Sequence, residues 1–303
     1  MDVEIVKSNG QKFRLSDYGV VQDFVVNSID RSVTRESVDG RKGSVDYGTN
    51  IGDRSISVPM IFKASDLHDY AHLRDEIIGI LDDDDPFYIR EMRRKDYLQY
   101  EFVDFGQSPK WSNGVENEYV NGRQYKVRLD SSISPEQWDD KPNGDITIEF
   151  VTSGLPFAES IYTTLELHDS GYAHSAEKYG LVDNIDDEKV QYRFTESNFT
   201  VYNAGNVTVE PESMMLNIIV NTVQSDNNFT IRNKTTGEEI VLKRASVGSH
   251  FRIQGMVISL GSITNVFRDT NRRFISLVPG DNQFEILNGT FEEIRFEFKF
   301  LYK

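Results

Sequence analysis

The sequence contains no cysteine. That absence excludes disulfide frameworks, thiol nucleophiles, iron–sulfur clusters and cysteine-ligated zinc. It leaves the compartment open, but suits a chain that folds in a reducing cytoplasm and later meets an oxidising exterior. Long apolar runs are missing too: nothing approaches the roughly 18 residues that a membrane helix needs. Met1 to Gly10 is charged from its second residue and holds no apolar segment, so no signal peptide is expected there. There is no internal repeat, no low-complexity tract, no phosphate-binding Gly loop and no Gly-x-Ser-x-Gly elbow.

Aromatic residues, by contrast, are plentiful. Of 303 residues 12% are aromatic, with 19 Phe and 14 Tyr, enough to build cores and argue against wholesale disorder. Hydrophobic residues make up 38% and charged ones 27%, a balance that suits long polar loops or several thin layers. The length allows two ordinary domains. A net charge of -16 repels phosphate backbones, so nucleic acid is a poor partner for the chain as a whole.

Periodicity predicts strands around one helix in the first half. Ile56, Val58, Met60 and Phe62 alternate and share a face. A helix follows, with Ser65 as N-cap, Asp66 and Asp69 in the first turn, and Leu67, Tyr70, Ala71, Ile77, Ile78 and Leu81 on one side. Asp82 to Asp85 and Pro86 end it. Further strands are expected at Phe87–Arg90 and Tyr97–Phe105, around Tyr125, Val127 and Leu129, and around Ile146, Ile148 and Phe150, with a Gly/Asn-rich loop over Gln107–Arg123. Ser153-Gly154-Leu155-Pro156 breaks the pattern. The expected domains are therefore 1–153, a linker or arm over 154–190, and 191–303. In the last, short strands at Phe199–Tyr202, Met214–Val220, Phe229–Asn233, Glu239–Leu242, Val257–Leu260 and Phe284–Leu287 indicate an antiparallel sandwich. Ile294, Phe296, Phe298, Phe300 and Tyr302 form the clearest strand. It needs a sheet to pair with, and 291–303 can find one in its own domain or back in the first.

Little of this points to chemistry. His68 and His72 stand i,i+4, a spacing that can share a metal, but on the polar side of the helix and without the Glu of a zinc-protease motif. Neither Asp82–Asp85 nor the group Asp183, Asp186, Asp187 and Glu188 has the spacing of a calcium loop. Trp111 and Trp138 are candidates for sugar-stacking platforms, loop anchors or interface residues. Arg31, Arg35, Arg41 and Lys42 form a basic cluster that fits an assembly interface or a solvated loop equally well. No catalytic, cofactor-binding or metal-binding residue is therefore assigned.

Several segments together resemble the distal tail protein family of siphophages, mainly those of Gram-positive hosts. They are RESVDGRKG (Arg35 to Gly43) ahead of the Ile56–Phe62 strand, SGLPFAES (Ser153 to Ser160), VYNAGNVTVEPES (Val201 to Ser213), IRNKTTGEEIVL (Ile231 to Leu242), SLVPGDNQFEI (Ser276 to Ile286) and the terminal IRFEFKFLYK. Each alone is ordinary turn or strand chemistry; their order along the chain carries the resemblance. It implies a mainly β protein, with an N-terminal β-rich belt domain with one helix and a C-terminal galectin-like antiparallel β-sandwich. It implies a non-enzymatic structural role without cofactors. Six copies would close a homohexameric ring at the tail tip of the virion, made in the host cytoplasm. The ring would join the tail tube protein to a tail-associated fibre or spike protein and to receptor-binding baseplate proteins. No membrane is involved, and DNA meets the ring only in transit through its bore. The rival readings are a carbohydrate-binding module that attaches a particle to the cell wall, and a wall-degrading enzyme, for which no constellation of residues is visible.

Overall fold

The computed structural model describes residues 1–37, 39–40, 42–94, 118–120, 122–139, 141–171 and 185–303. The expected strand Tyr97–Phe105, most of the Gln107–Arg123 loop, Trp111, Arg41 and Asp183 lie outside the described residues. The chain divides into two units, Met1–Ala158 and Glu159–Lys303.

Strands of the first unit are β1 (Asp2–Val6), β2 (Lys12–Arg14), β3 (Gly19–Val21), β4 (Val25–Val26), β5 (Arg31–Ser37), β6 (Ser44–Ile51), β7 (Ser55–Lys63), β8 (Phe87–Arg94), β9 (Glu118–Val120), β10 (Arg123–Leu129), β11 (Glu136–Gln137) and β12 (Asn143–Thr152). Its main sheet runs β2-β1-β8-β10-β12-β7-β3, with β4 also on β7. The neighbours are antiparallel, β1 with β8 and β12 with β7 for example. The sequence alternation sets this register. Ile56, Val58 and Met60 on β7 stand opposite Phe150, Ile148 and Ile146 on β12, so two apolar rows meet on one face. All six are buried. Burying side chains of this size contributes roughly 1.5–3 kcal/mol each. Phe62 faces Gly144, where any Cβ would collide with the Phe62 ring and the Glu136 carbonyl.

The helix α1 (Asp69–Leu81) covers that face. Its start corrects the sequence reading. Asp66 does the capping: its Oδ1 accepts from the backbone N–H groups of His68 and Asp69, both at 2.8 Å. Ser65 instead donates its own N–H to Asp69 Oδ2. With the turn begun at Asp66, the buried stripe is Tyr70, Ile77, Ile80 and Leu81, with Leu73 packed against it. Leu67 and Ala71 are exposed and Ile78 is half-buried, so these three do not form the core face.

The second unit begins within β13 (Ala158–Ser160). A short helix, α2 (Thr164–Ser170), then lies in the stretch expected as linker. Thr163 caps α2 by accepting the Glu166 N–H. Thr164 Oγ1 donates to the Phe296 carbonyl at 2.9 Å, which fixes α2 to the sandwich. The strands that follow are β14 (Arg193–Phe194), β15 (Asn198–Asn203), β16 (Leu216–Ser225), β17 (Phe229–Asn233), β18 (Glu238–Leu242), β19 (Ser246–Gln254), β20 (Val257–Leu260), β21 (Ile263–Thr264), β22 (Gly280–Leu287), β23 (Glu293–Phe298) and β24 (Leu301–Tyr302). One sheet is ordered β14-β23-β16-β19-β20-β21 and the other β15-β22-β17-β18.

The two sheets meet through aromatic rings. Phe284 and Phe296 lie 4.8 Å apart between centroids, and Phe229 meets Phe251 edge-on at 6.4 Å. The layers form an antiparallel sandwich. β23 pairs with β16 and β14 inside this unit. Its alternation ends at Leu301, which is buried next to buried Phe300 and Tyr302. The Asn-x-Gly loop has a physical role as well. Buried Asn203 accepts from the Gly205 N–H and donates to the Val207 and Leu277 carbonyls, holding three backbone groups with one amide.

Candidate assembly surface

The residues considered for chemistry do not converge. His72 on α1 and His68 just before it are both exposed. Among the described residues no group of three or more His, Asp or Glu is placed to hold a metal ion. The Trp138 indole N–H donates to Asp145 Oδ1 at 2.6 Å, and its backbone N–H donates to the Asn143 carbonyl, so it anchors the β11–β12 turn. The acidic run after α1 is tied to the sheet. Lys7 Nζ donates to Asp83 Oδ2 at 2.9 Å, and this bond, helped by the Asp85 N–H, holds the Asp83 carboxyl below its ordinary range. Asp186 accepts the Glu188 N–H and caps a short 3-10 turn. Arg31 and Arg35 lie on β5 and Lys42 in the turn that follows it.

That turn belongs to the most unusual element of the first unit. Among the described residues β5 and β6 pair only with each other, from Arg31 opposite Ile51 to Ser37 opposite Ser44. Every residue of β5 is exposed, and so is every residue of β6 except half-buried Val45. A seven- or eight-residue ribbon reaches about 25 Å. Such a two-stranded ribbon is marginal in water by itself. The register steps from Thr34–Gly48 to Arg35–Asp46, leaving Tyr47 as the extra residue of a bulge. Asp46 Oδ1 accepts the Gly48 N–H there, and Gly48 takes a φ of +117° that a side chain would resist. The bulge re-aims Tyr47, which is 61% exposed; Val33 is 42% and Ile51 57% exposed.

The base of the ribbon is firm. Asp30 donates its N–H to the Asp53 carbonyl, and Gly52 donates to the Asp30 carbonyl. Just before it, β3 and β4 lie along the outer side of β7 as the sheet edge. Val20, Val25 and Val26 on these strands are exposed too. An open strand edge with outward valines, running into a bare ribbon with Val33, Tyr47 and Ile51, is a surface that water covers poorly. The sequence reading located only its tip, through the Arg35–Gly43 segment and the basic cluster. Val45, Tyr47, Thr49 and Ile51 alternate and were the available signal for β6.

Comparison with known proteins bears on the same region. Residues 8–152 match the family described as phage tail protein RIFT-related domain. The crystal structure of the Dit protein of phage SPP1, described as a paradigm of the hub adsorption apparatus in phages infecting Gram-positive bacteria, superposes with a TM-score of 0.61 at 13% identity. The match covers 98% of this chain and 99% of that one. At this identity the likeness establishes the fold. A chain of the phage p2 baseplate, in an activated conformation with strontium, aligns over 98% of this chain and 97% of its own at 11% identity. Its TM-score of 0.40 is too low to establish a shared fold. No curated protein matches the chain. Residues 8–152 thus match the phage tail protein RIFT-related domain, and over nearly its whole length the chain has the fold of the SPP1 Dit protein.

Proposed function

We propose that this protein is a structural component of the phage tail tip, six copies of which close into a ring around a bore. The ring joins the tail tube to a fibre or spike protein and to receptor-binding baseplate proteins, and DNA passes through it on ejection. The chain performs no reaction in this role; its contribution is geometric. One surface patch meets a different patch on the next copy, and such heterologous contacts close when the rotation per subunit divides a full turn.

The observation that carries the reading is the ribbon β5–β6 with the adjoining edge β3–β4. An exposed ribbon of this length gains its stability from a neighbour. A sheet edge with outward valines supplies what a neighbour's ribbon can cover. A net charge of -16 is compatible with a lumen through which DNA slides without sticking. Production in the host cytoplasm fits a chain free of cysteine.

Light scattering on the purified protein over a range of concentrations tests this. Six copies of a 34.8 kDa chain give a particle of about 209 kDa. A species of that mass is the expected result. A monomer at every concentration would overturn ring closure by this chain alone.

A further inference from the structure

The four-stranded sheet of the second unit treats its two edges differently. Beyond β18 the chain covers its own edge. The Val241 N–H donates to Asn271 Oδ1 at 3.1 Å, Asn271 Nδ2 donates to the Glu239 carbonyl at 2.8 Å, and the Lys243 N–H donates to the Asp269 carbonyl at 2.7 Å. Among the described residues the other edge, β15, pairs only with β22.

The phase of that pairing is fixed by the Ile286 N–H donating to the Ser197 carbonyl. Odd-numbered residues of β15 therefore turn their backbone groups to β22, and Asn198, Thr200 and Tyr202 turn theirs away. The Tyr202 carbonyl is taken by the Tyr192 hydroxyl at 2.9 Å. The backbone groups of Asn198 and Thr200 meet no partner among the described residues, and both residues are exposed.

A cleft of about 630 Å³ opens beside this edge, and Gln191, Arg193 and Phe194 also line it. The stacked rings of Phe194 and Phe199, 4.3 Å apart, give it an apolar wall. Its cations are already engaged: Lys189 with Asp281 at 3.0 Å, and Arg193 with Asp169 at 2.8 Å. Glu188 and Glu196 line the cleft with no ion pair among the described residues, so the charge left over is negative.

We propose that this cleft docks an extended, basic segment of a partner polypeptide, which adds to β15 as a fifth strand of the four-stranded sheet. The free N–H and C=O of Thr200 and Asn198 supply the main-chain bonds, and Glu188 and Glu196 select Lys or Arg side chains. A segment of about five residues spans the edge. All of these residues lie in the second unit, so the assignment stands apart from the ring contact placed on the first.

The test pans a displayed library of random heptapeptides against the full-length protein. Enriched peptides rich in Lys and Arg are expected, and binding should protect the Thr200 amide from hydrogen exchange. Thr200→Pro removes the outward N–H without touching the pairing with β22 and should weaken binding about tenfold, whereas Thr200→Val, which keeps the backbone, should bind as the parent does. If Thr200→Pro fails to fold, the pair Glu188→Lys and Glu196→Lys takes its place and should abolish binding of the same peptides. No enrichment, enrichment without basic bias, or binding that leaves the Thr200 amide unprotected would overturn the proposal. So would displacement by chitotetraose with loss of binding in Thr200→Val, since that pattern belongs to a sugar held by the hydroxyl.

Discussion

Asn282 shows what single polar residues do in this protein. It is fully buried between β22 and the preceding turn. Its Oδ1 accepts the Val278 N–H at 3.0 Å, and its Nδ2 donates to the Val278 and Gly280 carbonyls at 2.8 and 3.1 Å. Asn282→Ala leaves these groups buried and unpaired, at a cost of about 2–3 kcal/mol. Urea unfolding followed by far-UV circular dichroism should show the lower midpoint. Lys7 and Asp83 make a second residue-scale case. The Lys7 side chain is 8% exposed and its ammonium lies 4.5 Å from the centre of the Phe87 ring. Removing Asp83 strands that cation, whereas Lys7→Met replaces it with an apolar chain. Asp83→Asn should therefore lower the melting temperature more than Lys7→Met does. The pair also sets a pH dependence. Because the folded state holds the Asp83 carboxyl below its ordinary value, its contribution is complete above the unfolded pKa and is lost as pH falls through the folded one. In Lys7→Met that acid-side loss should shrink, and the Asp83 carboxyl should titrate at higher pH by NMR.

Among the elements, legibility followed burial on one face. β7, β12 and β23 each bury alternate side chains against a core and leave most of the others half-buried, so period two was written into their residues. β5 has solvent on both faces, and nothing selects between its two rows; Arg31–Ser37 reads as polar loop although it is strand. β1 was hidden differently. Asp2 and Glu4 are buried beside Val3 and Ile5, Asp2 accepting from the Ser16 N–H and hydroxyl and Glu4 pairing with Arg90. The tertiary partners that make buried acids acceptable cannot be seen from five residues of sequence. The start of α1 was misplaced because Ser65 and Asp66 are both good caps, and only the backbone path decides between them. Asp66→Ala should destabilise the first unit by about 1 kcal/mol while Ser65→Ala leaves it nearly unchanged, by thermal unfolding. The assembly surface was half legible: turn glycines and basic residues marked the tip of the ribbon, but its bulge at Tyr47 and the continuity with Val20, Val25 and Val26 exist only in the paired structure. Tyr47→Asp combined with Val33→Asp should keep the particle monomeric in light scattering without moving the melting temperature, because neither side chain packs on a core.

For the whole molecule, the division at Ala158 and Glu159 separates two cores. The first unit has its own continuous cluster, from Val3 and Ile5 through the rows of β7 and β12 to Ile77 and Leu81 of α1. The second has an aromatic core of its own, in which Phe199, Phe284 and Phe296 from both sheets touch. A unit with a closed core is able to fold alone. Residues 159–303, expressed by themselves, should therefore unfold cooperatively and run as a monomer at every concentration. If the ring contact belongs to β3–β6, residues 1–158 should carry the self-association of the full chain, and Tyr47→Asp with Val33→Asp should remove it in that fragment as well. Self-association by the second fragment, or its absence from the first while the full chain still assembles, would move the ring contact off the ribbon. Either result can be read from the same light-scattering series, because the two fragments are alike in size and carry different surfaces.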